Sequence, residues 1–459
     1  MKEEVEKPWD NGKIIVSDNK RFLQFENGRP FFWLGDTAWL LFMRLNRMEV
    51  EKYLENRAEN GYNVIQAMVI HGIPETNVYG NNAFKNKDFT KPVTEGGIYS
   101  YWNNIDYVIN KARNKGLYMA LVPVWGSVVK SGFLNEKEAL VYGEWLANRY
   151  KDYPNIFWLI GGDIKGDTRP EVWKTLGKTI KKNAPHHLMT FHPFGRRQSS
   201  MWFHNQDWLY FNMFQSGHRR YDQIKEEPEE IWKGEDNWRY VEEDLAKEPP
   251  KPTLDGEPSY EGIPQGLHDP DEPFWQAEDC RRYAYWSVMA GACGHTYGHG
   301  SIMQMHKPTM GEGGYGVKDF WYDAIYAPGG QQMKYLKKLI LSRPYFERIF
   351  DQSLIAGDEG ERYERVIACR GQDYLLAYSY TGRTFSLNME KISGDRVKTW
   401  WYNPRNGTNI YIGEYTNTGI QKFNPPGQQR DGNDWILVVD DGDKDFNPPG
   451  KIIEVSKYV

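Results

Sequence analysis

The sequence predicts a (β/α)8 barrel followed by an all-β sandwich, and three observations support this order. Between Gly28 and Arg343, short apolar runs alternate with longer amphipathic segments, as in repeated β-α units. Beyond about residue 350, short alternating runs are separated by turn residues at the spacing of an all-β domain. The chain of 459 residues accommodates both, since a barrel takes about 250 to over 400 residues. We therefore expect a barrel over residues 1–349 and a sandwich over residues 350–459.

In the first half of the predicted barrel, strands alternate with helices whose ends are marked in the sequence. Asn46 with Glu49, and Asn135 with Glu138, form the capping-box pattern of a helix N-terminus. A third helix, over residues 101–115, is stopped by a glycine. The four strands predicted around these helices cover residues 31–35, 63–70, 117–124 and 155–160.

The second half of the barrel continues the pattern, with strands predicted at residues 187–191, 208–213, 252–256 and 291–297. A doubly wound sheet is the main alternative, and it requires a glycine-rich phosphate loop after the first strand. The first strand is followed instead by Asp36-Thr37, which favours the barrel. A G-x-G-x-x-G motif does occur at Gly311, Gly313 and Gly316. Because it follows the eighth strand, we interpret it as a flexible barrel loop.

The C-terminal part of the chain has a different hydrophobic pattern, with short runs of alternating apolar and polar residues and frequent turn residues such as Asn406-Gly407. Seven strands are predicted, at residues 365–370, 374–380, 384–388, 396–402, 409–415, 419–423 and 434–440. Antiparallel strands of this length and spacing are typical of a sandwich of two sheets. We therefore expect a β-sandwich after the barrel.

Composition and charge exclude several classes of function. The 57 Lys and Arg residues nearly balance the 62 Asp and Glu residues, so the net charge of −5 offers no basic surface for nucleic acid. No apolar stretch approaches about 18 residues, so no membrane span is predicted. Residues 1–30 contain no apolar h-region, so no signal peptide is predicted. Cys280, Cys293 and Cys369 lack paired spacing, so we expect no disulfide framework, no zinc site and no cofactor. The aromatic fraction of 15% fits either sugar-binding faces or a large core.

Two of the predicted strand ends carry carboxylates: Asp163 follows the fourth strand and Glu257 follows the seventh. The active sites of barrels lie at this end of the strands. Glycoside hydrolysis requires two carboxylates, one to protonate the departing oxygen and one to attack or to activate water. Each carboxylate could instead cap a helix or form a structural ion pair. Asp167 and Glu261 are the closest rivals, and Asp255 is a further candidate two residues before Glu257.

Four motifs carry a resemblance to a known family. They are FWLGDTAW at residues 32–39, GYNVIQ at 61–66, GD at 162–163 and DGEP at 255–258. In these motifs, and over nearly its whole length, the chain resembles the apiosidase-like glycoside hydrolases, family 140. The C-terminal part resembles the β-sandwich of that family, which is named for collagen binding. The name alone is no evidence that the domain binds collagen.

The resemblance implies a retaining mechanism with Asp163 as the acid/base and Glu257 as the nucleophile. Most members of the wider clan have Asn-Glu at the end of strand four, whereas this chain has the apiosidase-like Gly162-Asp163. An isolated Asp has a pKa near about 3.9. As an acid at neutral pH, Asp163 therefore needs a pKa raised by burial or by the charge of Glu257. We expect the two carboxyl groups to lie about 5–5.5 Å apart.

Further residues near the strand ends are candidates for binding sugar hydroxyls or for packing in the loops. They are Asp36, Gln66, His71, Trp125, His192, Gln215, His218, Tyr260 and His295. Tyr260 is also placed to hydrogen-bond Glu257. Three of these histidines, together with His299, could surround a metal ion, but hydroxyl binding or packing is better supported and no metal is predicted.

The expected function is the hydrolysis of O-glycosidic bonds in plant cell-wall polysaccharide, with carbohydrate as the partner. By resemblance, the protein is an apiosidase acting on side chains of rhamnogalacturonan-II-type pectin. Pectin contains galacturonate, so Arg196, Arg197, Arg219 and Arg220 are candidates to bind it, unless they are solvated loop residues. The alternatives are a non-catalytic carbohydrate-binding protein and a metal-dependent barrel hydrolase. The resemblance also implies a periplasmic or extracellular protein whose leader is removed, and it leaves the oligomeric state open.

Overall fold

The structure, a computed structural model, describes residues 7–223 and 232–453. A barrel sheet surrounded by helices is followed by an all-β domain, which confirms the predicted fold class. Three short strands precede the barrel and pair as an antiparallel sheet. They are β1 (Ile14–Val16), β2 (Leu23–Phe25) and β3 (Pro30–Phe31).

Within the described residues, the barrel sheet has nine strands. They are β4 (Trp33–Thr37), β5 (Val64–Met68), β6 (Tyr118–Val122), β7 (Ile156–Ile164), β8 (Met189–Pro193), β9 (Arg197–Gln198), β10 (Asn212–Gln215), β11 (Thr253–Asp255) and β12 (Gly294–Tyr297). Their order is β8-β7-β6-β5-β4-β12-β11-β10-β9, with all pairs parallel except β9 with β10. The barrel closes where the backbone N–H of Tyr210 donates to the carbonyl of Met189 at 3.0 Å.

All eight predicted barrel strands differ from the structure in their bounds, and β4, for example, covers residues 33–37 instead of 31–35 and so includes Asp36. β7 continues to Ile164 and so includes Asp163, which the prediction placed just beyond the strand. β10 begins at Asn212 instead of residue 208, because the apolar segment before it packs against the surrounding helices. The two-residue β9 was not predicted, since so short a strand leaves no periodic pattern.

Helices cover the outside of the barrel. They are α1 (Leu41–Arg44), α2 (Arg47–Glu59), α3 (Tyr101–Asn114), α4 (Gly126–Lys130), α5 (Glu136–Tyr150), α6 (Pro170–Asn183), α7 (Ser200–Phe203), α8 (Asn237–Leu245), α9 (Ala277–Met289), α10 (Gly300–Met303), α11 (Trp321–Ala324) and α12 (Pro328–Ile340). The predicted capping boxes at Asn46 and Asn135 are both formed. In the described part of the chain, no helix has the length and apolar character needed to cross a membrane.

Aromatic side chains fill the N-terminal end of the barrel. The ring of Trp33 lies 4.9 Å from that of Phe157 and 5.9 Å from that of Phe211, between centroids. Phe31, at the end of the preceding sheet, packs against Phe157 and Tyr118 at 5.9 and 5.4 Å. We call these five residues the basal aromatic layer. Within the described residues, this layer therefore fills the base of the barrel, at the end opposite to the C-terminal ends of its strands.

The C-terminal domain is a sandwich of two unequal layers. Its strands are β13 (Ile349–Phe350), β14 (Val366–Arg370), β15 (Tyr374–Ser379), β16 (Phe385–Asn388), β17 (Arg396–Tyr402), β18 (Asn409–Thr416), β19 (Ile420–Phe423) and β20 (Trp435–Asp441). Six of them form an antiparallel sheet of order β13-β14-β15-β20-β17-β18, and β16 pairs with β19. The two layers share a core that includes Leu387, Phe423 and Leu437.

Two buried ion pairs join the sandwich to the barrel. Arg281, on α9, donates to both carboxylate oxygens of Asp434 at 2.7 and 2.9 Å. Arg343, just after α12, likewise donates to both carboxylate oxygens of Asp440, each at 2.7 Å. All four side chains are at most 3% exposed. Such paired, buried contacts fix the orientation of one domain against the other.

Candidate active site

Two glycines turn the end of β7 toward the mouth of the barrel. Gly161 and Gly162 have φ values of +98° and +109°, and Asp163 follows at +48°. Residues with a Cβ rarely adopt such conformations. A Cβ on Gly162 would also lie 2.4 Å from Cε3 of Trp125, so neither backbone nor space tolerates a side chain there. The glycine pair therefore lets Asp163 leave the line of the strand and face the opening.

Glu257 follows β11, and its backbone is held by the neighbouring segment of chain. The N–H of Gly217 donates to the carbonyl of Glu257 at 3.1 Å, and the N–H of Gly256 donates to that of Phe214 at 2.8 Å. A Cβ on Gly256 would lie 2.4 Å from Sδ of Met213, so this approach requires glycine. Glu257 is only 6% exposed. Its carboxylate is therefore placed by a tightly packed strand end.

Both carboxylates line one cavity of about 510 Å³ at the C-terminal end of the barrel. Sites for small molecules typically have volumes of about 300–1,000 Å³. Aromatic and cationic side chains form much of the wall, namely Trp39, Trp125, Tyr260, Tyr315, Arg44, Arg196 and Arg219. Flat apolar faces beside polar groups suit a sugar ring, which has both apolar C–H faces and hydroxyl edges.

The carboxylate of Glu257 is surrounded by hydrogen-bond donors. The hydroxyl of Tyr260 donates to Oε1 at 2.5 Å, and Nε1 of Trp39 donates in turn to that hydroxyl at 3.0 Å. Nε2 of His218 lies 3.4 Å from Oε1, and Nε2 of His192 lies 3.1 Å from Oε2. Burial alone would raise the pKa of Glu257, but the hydrogen bonds from the two histidines outweigh it and lower the pKa to about 2. Glu257 is therefore an ionised carboxylate at neutral pH.

His192 connects the two carboxylate positions. The backbone N–H of Asp163 points to Nδ1 of His192 at 3.4 Å. A ring nitrogen that accepts a hydrogen bond carries no proton, so the proton of a neutral imidazole lies on Nε2. Nε2 is the atom that faces Glu257. The turn that places Asp163 thus also selects the histidine tautomer that donates to Glu257.

The surroundings of Asp163 shift its pKa in the opposite direction from that of Glu257. Its side chain contacts the solvent of the cavity, yet the protein mass around the cavity is dense. This burial raises the pKa of Asp163 to about 6, helped by the negative charge of Glu257 and opposed by nearby histidines and a hydrogen bond with Gln215. One carboxyl is thus ready to give a proton near neutral pH while the other stays charged. Environments that separate two pKa values in this way allow an acid and a nucleophile in one site.

Comparison with known protein families agrees with this geometry. A family profile described as "Apiosidase-like, catalytic domain" matches residues 17–347, which is well over half of the chain. The chain belongs to the apiosidase-like family. A second profile, described as "Putative collagen-binding domain of a collagenase", matches residues 349–440 of this apiosidase-like protein.

Two solved structures resemble the apiosidase-like chain over almost its whole length. One, named "Glycoside hydrolase", is 52% identical with a TM-score of 0.94, and the match covers 96% of this chain and 100% of that one. The other, a glycoside hydrolase family 5 protein from Bacteroides vulgatus ATCC 8482, is 50% identical with a TM-score of 0.94, and the match covers 96% of each chain. Among curated proteins, none matches. The apiosidase-like protein is therefore a glycoside hydrolase, an enzyme that acts on carbohydrate.

Several residues that the sequence suggested as ligands of the sugar do lie at the cavity of this apiosidase-like enzyme. His71, Trp125, Gln215 and Tyr260 line it. His218 lines it too, and His192 is buried directly behind Glu257. Tyr260 forms the hydrogen bond to Glu257 that the sequence suggested. Their binding of sugar hydroxyls stays a prediction.

Asp36 does not reach the cavity, which corrects its interpretation as a ligand of the sugar. Its carboxylate is completely buried, lies 3.1 Å from Nε of Arg57 and accepts a hydrogen bond from the hydroxyl of Tyr53. Burial raises the pKa of Asp36, and the charge of Arg57 opposes the rise. Asp36 therefore ties β4 to α2, as an ion pair in the wall of the barrel.

Gln66 and His295 also lie outside the cavity. The side-chain amide of Gln66 donates to the carbonyl of Gly256 at 2.9 Å, so Gln66 supports the strand end that carries Glu257. His295 is 1% exposed, and its burial lowers its pKa to about 3. A neutral, enclosed imidazole contributes to packing, and the structure does not bring His295 to the cavity wall.

The rival carboxylates occupy structural positions or lie away from the cavity. Asp167 is exposed and does not line it. Asp255 is buried and accepts a hydrogen bond from the hydroxyl of Ser216 at 2.6 Å. Glu261 accepts one from Tyr297 at 2.6 Å. None of the three carboxylates is placed to reach a substrate in the cavity.

The candidate arginines divide into two groups. Arg196 and Arg219 line the cavity, whereas Arg197 is buried outside it. Arg220 forms ion pairs with Asp222 and Glu272 at 2.9 and 2.7 Å. Of the four candidate arginines, Arg196 and Arg219 therefore lie where a substrate would contact the wall.

Sequence reasoning did not assign a binding role to Trp39, Arg44 or the glycine-rich segment 311–316, all of which lie at the cavity. Trp39 had a signal, since it follows β4 by two residues, at the end of the strand where barrel sites lie. The glycine-rich segment was interpreted only as a loop, and no sequence pattern shows where such a loop folds. His299 is buried like His295, and the described residues contain no group of three or more His, Cys, Asp or Glu placed to hold a metal ion.

Proposed function

We propose that this glycoside hydrolase works by a retaining mechanism and cleaves apiose-containing side chains of rhamnogalacturonan-II-type pectin. Asp163 is the acid/base and Glu257 is the nucleophile. The observation that carries the mechanism is the pair of carboxylates in one cavity with pKa values of about 6 and about 2. The substrate rests on membership of the apiosidase-like family.

In the first step, the protonated Asp163 gives its proton to the oxygen of the scissile bond. The ionised Glu257 attacks the anomeric carbon, so the bond from that carbon to the leaving oxygen breaks and an ester with the enzyme forms. The leaving saccharide departs as an alcohol. Tyr260 and His218 orient Glu257 for this attack through their hydrogen bonds to Oε1, and Nε2 of His192 lies 3.1 Å from Oε2.

In the second step, the roles reverse. Once Glu257 is an ester it has no charge, and one cause of the raised pKa of Asp163 disappears. The pKa of Asp163 falls, and its carboxylate takes a proton from a water molecule that attacks the anomeric carbon. The ester bond breaks, the sugar is released with its original anomeric configuration, and Glu257 regains its charge.

Cations in the cavity support an acidic polysaccharide as substrate. Arg44, Arg196 and Arg219 line the wall around Asp163 and Glu257. Guanidinium groups bind carboxylates through two parallel hydrogen bonds, and the galacturonate units of pectin present such carboxylates.

The test is product release from a panel of plant polysaccharides that includes rhamnogalacturonan II. We expect the native protein to release apiose-containing product, and Asp163→Asn and Glu257→Gln to lose nearly all turnover while remaining folded. Asp167→Asn is the matched control, because Asp167 is an exposed carboxylate outside the cavity. Proton NMR of the first product distinguishes retention from inversion. Release of another sugar would contradict the substrate, and inversion or unchanged turnover in either variant would contradict the mechanism.

A further inference from the structure

A second cavity lies beside the active-site cavity, on the other side of the glycine-rich segment 311–316. Its volume is about 640 Å³. The two cavities share five lining residues, which are Leu267, His268, His306, Glu312 and Tyr315. They are therefore neighbouring parts of one longer depression, and segment 311–316 lies at the boundary between them.

Tyr315 is the aromatic residue at this boundary. It is 45% exposed and has a left-handed backbone with φ +60° and ψ +30°, which is uncommon for an aromatic residue. Tyr315 lines the catalytic cavity together with Asp163 and Glu257. Burial raises the pKa of its hydroxyl, and the charges of the two carboxylates raise it further. Strained residues of this kind are concentrated at functional sites.

Gln304 fixes the segment in place. Its side-chain amide donates to the carbonyl of Gly314 at 2.9 Å, and its Oε1 accepts from the N–H of Gly314 at 2.8 Å. Gln304 is 6% exposed, and Gly314 directly precedes Tyr315. A Cβ on Gly313 would lie 2.3 Å from Cγ2 of Val317, so the segment also packs closely. A glycine-rich segment anchored in this way holds Tyr315 over the opening.

The second cavity has the surface chemistry of a saccharide site. Tyr315 and Phe320 supply aromatic faces, and His268, Glu312 and Lys318 supply polar groups. Sugar-binding sites combine such apolar faces with hydrogen-bonding groups. The position of the second cavity relative to the two carboxylates also agrees with binding of the leaving group. Asp163 and Glu257 line the catalytic cavity and not the second one, so a side-chain sugar held at the two carboxylates leaves the second cavity for the saccharide to which that sugar is attached.

We propose that the second cavity binds the saccharide on the leaving-group side of the scissile bond, with Tyr315 packing against the first sugar ring of that saccharide. Gln304 acts as a positioning residue, because it holds the backbone next to Tyr315. The proposal rests on the proposed function, the cleavage of a side-chain sugar at Asp163 and Glu257. It assigns the leaving group, and not the released sugar, to this surface.

The experiment compares two substrates that carry the same sugar. One is an oligosaccharide prepared from rhamnogalacturonan II, and the other is apiosyl fluoride, whose leaving group is a single atom that cannot reach the second cavity. We expect Tyr315→Ala to lower kcat/KM about tenfold or more for the oligosaccharide, the size of a lost ring contact, and less than about twofold for the fluoride. Tyr326→Ala is the matched control, because Tyr326 is a 61% exposed tyrosine outside both cavities.

Equal losses on both substrates would place Tyr315 against the released sugar and overturn the proposal, as would an unchanged kcat/KM for the oligosaccharide. Tyr315→Phe keeps the ring and should retain most of the activity. Gln304→Ala should reproduce the substrate-dependent loss of Tyr315→Ala, mainly through KM, and a loss in kcat on the fluoride would indicate a general structural effect instead. If the polysaccharide panel shows that a different sugar is released, the fluoride of that sugar and the cleaved glycan are used. The pectin proposal then fails, while the ratio between the two substrates still decides this one.

Discussion

Nε2 of His192 lies 3.1 Å from Oε2 of Glu257, while Nδ1 of the same ring accepts a hydrogen bond from the backbone N–H of Asp163, the proposed acid. As a result, the N–H of His192 points in a fixed direction, toward the carboxylate of Glu257. Two strand ends of the barrel are therefore coupled through one buried imidazole, and a change at either end reaches the other.

The first prediction concerns the charge state of Glu257. Removing a hydrogen bond to a charged group stabilises its neutral form, so His192→Ala should raise the pKa of Glu257 from about 2. Because Glu257 attacks only when ionised, the acid limb of the kcat/KM profile should move to higher pH by roughly one to two units. His192→Gln is the conservative control and should move the limb less. An acid limb that stays in place in the Ala variant would show that His192 does not set this pKa.

The second prediction concerns the alkaline limb. Asp163 must be protonated to act as the acid, and its pKa is raised to about 6. For a polysaccharide substrate, kcat/KM should therefore fall as the pH rises above about 6. A glycosyl fluoride needs no proton on its leaving group, so its profile should lack this limb. The same alkaline limb on both substrates would contradict the role of Asp163.

The Glu257→Gln variant checks the origin of that pKa. Loss of the charge at Glu257 removes one cause of the rise, and the pKa of Asp163 should fall below about 6 while staying above its ordinary value, because burial remains. Carbon-13 NMR titration of the aspartate carboxyl groups measures it directly. An unchanged pKa in the variant would mean that burial alone raises it.

How far the sequence predicts this site depends on the kind of evidence that each residue leaves. Asp163 and Glu257 were predictable, since apolar runs mark strands and the carboxyl ends of parallel strands meet at one end of a barrel. Asp36 sits at such an end as well, but its partner Arg57 comes from the following helix, and no local pattern shows that pairing. Gln66 is explained only by Gly256, a contact across 190 positions of the chain.

The third prediction tests the turn at the end of β7. Gly162→Ala places a Cβ 2.4 Å from the ring of Trp125 at a φ of +109°, so the turn must shift and carry Asp163 with it. A displacement of about 1 Å costs about 100-fold in rate, and we expect a loss of kcat of at least that order. Gly80→Ala is the control, because Gly80 also has a positive φ, +77°, but has open space around it.

The control variant should therefore show only the modest loss of stability that a positive φ imposes, with kcat unchanged. Thermal unfolding and kcat are measured for both variants. Full activity in Gly162→Ala would show that the strand end adjusts without displacing the acid.

The fourth prediction concerns the joint between the two domains. Arg281→Ala leaves the buried carboxylate of Asp434 without its partner, and such losses cost about 3–5 kcal/mol in the free energy of unfolding. Arg396→Ala breaks a surface pair with Glu414, whose side chains are 62% and 44% exposed, and should cost less than about 1 kcal/mol. Urea unfolding followed by tryptophan fluorescence measures both. Equal costs would contradict a joint held by the buried pair.

The basal aromatic layer fills one end of the barrel, so in the described structure substrate, water and products share the entrance at the other end. A separate cavity of about 360 Å³ below the layer, which Tyr118 and Phe157 help to line, shares no lining residue with the catalytic one. The water that completes turnover must then arrive by the route that the departing saccharide has just vacated. A saccharide hydroxyl that remains in this entrance competes with water for the sugar ester on Glu257. At high substrate concentration, transglycosylation products should therefore form beside the hydrolysis products.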